Sequence, residues 1–110
     1  MNENTTKTKL QEYGEIIYNL EPEIVLLEVL MDDIVIFKHA LETLANPNPE
    51  AIVEAKEDLN IAISEYNRQK DDLLIKLEAW MKFITENNYP ININYFRILQ
   101  ELRTLKRMGI

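Results

Sequence analysis

Apolar residues recur along the chain three and four positions apart with few interruptions, which is the spacing of helix faces and not of strands. Thr8 followed three residues later by Gln11 forms a capping-box pattern and predicts a helix over residues 9–20. Pro22 then interrupts. It fits the first turn of a new helix, where a missing N–H is harmless, and that helix is expected over 22–45. Asn46-Pro47-Asn48-Pro49 is the strongest punctuation: Asn46 suits a left-handed helix end, Asn48 an N-cap and Pro49 the first helical position. Residues 50–87 contain neither Gly nor Pro, and with Pro49 at its start the stretch 49–87 predicts one long helix, roughly 57 Å at 1.5 Å per residue, with the polar run 67–72 as its weak point. Asn87-Asn88-Tyr89-Pro90 ends it, and residues 91–93 read as extended. A last helix over 95–108 places Tyr95, Ile98, Leu99, Leu102 and Leu105 on one face, with Gly109 as its C-terminal cap and Ile110 packing back.

The long helix carries a heptad. Ile52, Leu59, Tyr66, Leu73 and Trp80 stand seven apart, and Ile63, Leu77 and Ile84 follow four later, with Lys56 and Lys70 in the remaining places. The short turn before it forces an antiparallel neighbour. Continued outward, that pairing sets Leu10 against Ile84, Ile17 against Leu77 and Gly14 against Trp80, as if the glycine made room for the indole. The fold class that follows is all-α: a long, kinked, antiparallel helical hairpin, coiled-coil-like, with a short C-terminal helix packed on its open end. Residues 1–110 form one domain with residues 1–7 frayed.

The helix over 22–45 is apolar around well over half its circumference, more than one neighbouring helix can cover. Such a surplus marks an interface, so a homodimeric bundle or another protein seated there is expected. Leu26, Leu30, Phe37 and Leu41 are the expected partner-binding residues, together with Asp33, which lies inside the apolar arc. An acid in that position is either a functional group or, as the preferred reading, a structural one: a salt bridge, or the polar residue that fixes register in a dimer core.

Composition narrows the alternatives. Of 110 residues, 46% are hydrophobic and 28% charged, which excludes a wholly disordered chain. There is no cysteine, hence no disulfide framework, thiol nucleophile or iron–sulfur site, and a single histidine excludes metal sites built from several imidazoles. The stretch 24–37 is broken by Glu28, Asp32 and Asp33, so no window reaches the ~18 uncharged residues of a membrane span. The first seven residues lack the apolar core of a signal peptide, and a cytoplasmic protein is expected. Abundant Asn, Ile, Lys and Glu suit an AT-rich bacterial or phage genome.

Charge is uneven: residues 1–65 hold 4 basic and 14 acidic side chains, residues 66–110 hold 8 and 5, and the whole carries −7. Arg97, Arg103, Lys106 and Arg107 gather on the last helix and could touch phosphates, and 96–102 resembles the end of a DNA-recognition helix. The overall acidity opposes nucleic-acid binding, which is mainly electrostatic, and basic residues suit any helix C-terminus. The acid-rich half would instead attract a basic protein, or the basic helix of a second copy.

Two other patterns bear on catalysis. Glu12-x-x-Glu15 with Glu28 and Asp32 resembles in part the magnesium-binding acids of the all-α nucleotide pyrophosphatases, which pair Glu-x-x-Glu on one helix with Glu-x-x-Asp on the next. Here Glu28 and Asp32 stand four apart, and Gln11 precedes Glu12 where that family has acids. Octahedral magnesium is strict about placement, so solvated acidic faces are the preferred reading. His39 lies beside Lys38 on a polar face, and Ser64 has no motif around it. The expected function is a non-enzymatic protein–protein interaction module, without cofactor, that acts as a small adaptor, assembly factor or inhibitor.

Overall fold

The structure, a computed structural model, describes residues 7–44 and 48–109. The expectations for the Asn46-Pro47 corner, for fraying before Lys7 and for the packing of Ile110 lie outside the described residues. Three helices follow in order, α1 (Lys9–Glu42), α2 (Pro49–Asn87) and α3 (Ile93–Arg107). The fold is all-α: α1 and α2 pack closely as a hairpin, and α3 packs against them.

Local chemistry sets most of the helix ends. The Thr8 hydroxyl accepts from the Gln11 N–H at 3.1 Å, and the Gln11 side chain accepts from the Thr8 N–H at 2.9 Å, a complete capping box. At the start of α2, Asn48 accepts from the Ala51 N–H at 2.7 Å, with Pro49 in the first helical position. At its end, Asn88 adopts a left-handed backbone (φ 57°) and the Tyr89 N–H reaches the Ile84 carbonyl at 3.0 Å. Gly109 (φ 77°) closes α3 in the same manner, its N–H on the Lys106 carbonyl.

Three boundaries differ from the expected ones, one of them the end of α1, which comes at Glu42 and not at residue 45. Residues 9–20 and 22–45 are not two helices. α1 runs unbroken through Pro22, although that residue has no N–H for the Tyr18 carbonyl. α3 begins at Ile93, two residues early, because Asn92 caps it by accepting from the Tyr95 N–H at 3.1 Å.

The chain forms two compact units, Met1–Glu23 with Asp72–Ile110, and Ile24–Asp71. Their boundaries fall just past Pro22 on α1 and at the end of the polar run 67–72 on α2. That run does not expose all its members: Gln69 and Lys70 are buried, with the Lys70 ammonium 5.5 Å from the Tyr66 ring centre.

The first unit holds three helical segments around a closed core. Leu20, Leu73, Leu77, Trp80, Ile84 and Leu99 are essentially inaccessible, and Leu102 and Tyr95 are buried beside them. Tyr13, Phe83 and Tyr89 make a second aromatic cluster, with Tyr13 and Tyr89 centred 4.8 Å apart. Ion pairs fasten its rim: Lys76 to Glu23 at 2.6 Å, and Arg103 to both carboxylate oxygens of Glu78 through Nε and Nη2. The Arg103 guanidinium holds the Glu78 carboxyl below its ordinary value. Gly14 does not make room for Trp80. It is exposed, and a Cβ built there would meet nothing within 4 Å. Leu10 is likewise exposed instead of seated against Ile84. The residues of α1 that turn inward here are Tyr13, Ile16, Ile17 and Leu20.

Among the described residues the second unit has two helical segments, and Ile34 and Ala62 are its buried apolar residues. Ile52, Ala55, Leu59, Ile63 and Tyr66 of α2 are half-buried, as are Leu27, Leu30, Leu41 and Leu44 of α1. Two helices leave much of their surface wet, and this unit retains many open apolar side chains.

Candidate protein-binding face

Helix α1 has a heptad of its own that continues through Pro22. Tyr13, Ile16, Leu20, Glu23, Leu27, Leu30, Ile34, Phe37, Leu41 and Leu44 alternate at intervals of three and four, and all except Phe37 are buried or half-buried. Within the second unit this seam is the side turned toward α2. A helix with one such seam should be polar elsewhere. Here it is not.

Leu26, Val29, Asp33, Ile36 and Ala40 form a second stripe at the same three-four spacing, beside the first. Leu26 is 42% exposed, Val29 48% and Ile36 60%, with Val25 and Phe37 also open at the edges. Asp33 stands in the middle of the stripe, half-buried, and no hydrogen bond or ion pair reaches it among the described residues. Large apolar side chains held in water along one line are uncommon on a surface that has no partner.

Of the five residues expected to bind a partner, the structure places Leu26, Asp33 and Phe37 on or beside this stripe. Leu30 and Leu41 belong to the inner seam with Ile34. Val25 and Ile36 escaped the sequence reading, and Val29 lay within its apolar arc but outside the residues expected to bind. The signal was present: once the inner seam is followed from Tyr13 to Leu44, these residues are the apolar ones left over.

The remaining candidates do not come together. Glu12, Glu15, Glu28 and Asp32 all lie on one continuous helix, not on two facing ones. Glu12 pairs with Lys9 at 3.4 Å and Glu15 with Lys7 at 2.7 Å. The Glu15 carboxylate raises the Lys7 ammonium above its ordinary value. Among the described residues no group of three or more His, Cys, Asp or Glu is arranged to hold a metal ion. His39 and Ser64 are exposed, and the His39 carbonyl takes both the N–H and hydroxyl of Thr43.

On α3 the four basic residues are divided in use. Arg103 is engaged with Glu78, and Lys106 and Arg107 sit in the last turn, where they complement the helix dipole. Arg97 is exposed and has no ion-pair partner among the described residues. A cleft of about 480 Å³ opens beside Pro22, lined by Ile16, Tyr18, Leu20, Glu23, Lys76 and Ala79. Its ionic groups, Lys76 and Glu23, are already joined to each other.

Comparison with protein-family models, with curated proteins and with solved structures finds no match to this chain. No helix among the described residues is long and apolar enough to cross a membrane.

Proposed function

We propose that the chain is a non-enzymatic protein-binding module, a small cytoplasmic adaptor, assembly factor or inhibitor. Its working surface is the outer stripe of α1. The observation that carries this reading is the stripe itself: Leu26, Val29, Asp33, Ile36 and Ala40 repeat the spacing by which α1 already meets α2, so the surface is cut for one more helix. Asp33 supplies selectivity, since a half-buried carboxylate without a protein partner accepts a helix that brings a donor and rejects one that leaves it dry.

The occupant is either a second protein or a second copy, which would complete a bundle. The experiment compares wild type with Val29→Glu and Ile36→Glu in affinity capture from the native host. Both positions are exposed, so the variants keep the helical circular dichroism and melting temperature of wild type. Loss of a captured protein, or of self-association, with the fold intact supports the stripe. Unchanged capture and unchanged association state in both variants would remove it as the binding surface.

A further inference from the structure

The stripe on α1 says what its occupant must offer: a helix about four turns long, with apolar residues and one cation able to reach Asp33. Residues 24–71 carry ten acidic against four basic side chains, so the field around the stripe also favours a basic visitor. The chain holds one element of that description.

Helix α3 is 15 residues long, roughly 22 Å, against about 21 Å from Leu26 to Ala40 along α1. It bears four basic residues and one acid. Tyr95, Leu99 and Leu102 are buried on one side. The opposite side presents Ile93, Arg97, Gln100 and Thr104, all exposed and again at heptad spacing. Phe96 and Leu105 border this outward face with apolar surface, and the exposed acid Glu101 also lies along it. Ile93 is 72% exposed, and Arg97 stands one turn from it without an ionic partner among the described residues.

We propose that the outer stripe of α1 receives the outward face of α3 from a second copy, with Arg97 of the second copy paired to Asp33. The inference rests on the stripe being a docking surface and names what docks there. Apolar contact excludes water from the pair, and Asp33 gains the charged donor that its own chain does not give it. Each copy carries both halves of this contact, and the halves differ, so the association is heterologous. Gln100 and Thr104 in the centre of the α3 face make it weak and reversible.

Charge exchange tests it. Sedimentation velocity at low salt, from about 10 µM to about 0.5 mM, should show wild type associating reversibly, with less association as salt is raised. Asp33→Arg and Arg97→Asp should each shift association to concentrations about tenfold higher or more, because each alone sets like charges together. Mixed in equal amounts, the two variants should associate as wild type does: the introduced arginine of one meets the introduced aspartate of the other, and the native pair forms in the reverse direction. Both sites are solvent-accessible, and circular dichroism checks that the variants remain folded.

A wild type that stays monomeric throughout, single variants that associate unchanged, or a mixture that fails to recover would each overturn the proposal. The broader reading fails separately. If Ile36→Glu abolishes capture of a different protein while wild type never self-associates, the stripe remains a docking surface with a foreign occupant. If Ile36→Glu alters neither, both readings fall.

Discussion

The ring of Tyr95 meets the indole of Trp80 edge to face, with centres 5.6 Å apart and planes at 76°. The Tyr95 hydroxyl goes on to donate to a Glu21 carboxylate oxygen at 3.1 Å, which joins α3 to α1 over the largest fully buried side chain of α2. The indole Nε1 has no hydrogen-bond partner among the described residues. Trp80→Ala should therefore cost about 3–5 kcal/mol in chemical denaturation. Trp80→Phe should cost far less, about 1–2 kcal/mol, because the smaller ring also removes an unsatisfied N–H. Equal costs for the two would mean that the nitrogen is satisfied in solution.

Tyr95 also fixes an alkaline limit. Burial, and then the hydrogen bond and charge of Glu21, push its phenol from 10.0 up to about 12. The folded state thus keeps the proton that the unfolded state gives up first. Its contribution is complete below pH 10 and is lost as pH rises toward 12. Melting temperature should fall across that interval in wild type and less steeply in Tyr95→Phe. Parallel profiles would contradict the assignment.

Pro22 has no N–H to give the Tyr18 carbonyl, so α1 lacks that hydrogen bond. Pro22→Ala should restore the N–H to the Tyr18 carbonyl and stabilise the protein by about 1–3 kcal/mol, after allowance for the greater freedom of the unfolded chain. A melting temperature that drops instead would show that the proline shapes the packing of Leu20 and Glu23.

Gly14 is an ordinary exposed helix position with free space where a side chain would stand. Gly14→Ala should stabilise by about 0.5–1 kcal/mol, measurable by urea denaturation at constant slope. Destabilisation would return the glycine to a packing role beside Trp80.

Much of this architecture could be read from local chemistry. The Thr8–Gln11 box, the Asn48 cap and the Gly109 stop need only a few residues to act, and each lies where its side chains predict. The α2 heptad was equally legible, because Leu73, Leu77, Trp80 and Ile84 are large and regularly placed. Pro22 misled because helix propensity is a local quantity. Leu20, Glu23 and Leu27 keep the seam in phase on both sides of it, and tertiary burial outweighs one missing bond. The apolar surplus with Asp33 inside it was legible, but which of its residues stay open is defined only after the inner seam has been followed past the proline. Gly14 failed for a simpler reason: extending the pairing from a distant corner accumulates error, and Tyr13 turns inward in its place.

Among the described residues of 24–71, Ile34 and Ala62 are the buried apolar side chains. A half so thinly closed opens often, so backbone amides of 27–41 should trade hydrogen for deuterium well before those of 73–84. Whatever settles on Val29 and Ile36 will slow the first group and leave the second untouched. Exchange rates can thereby reveal where a visitor sits before anyone knows its name.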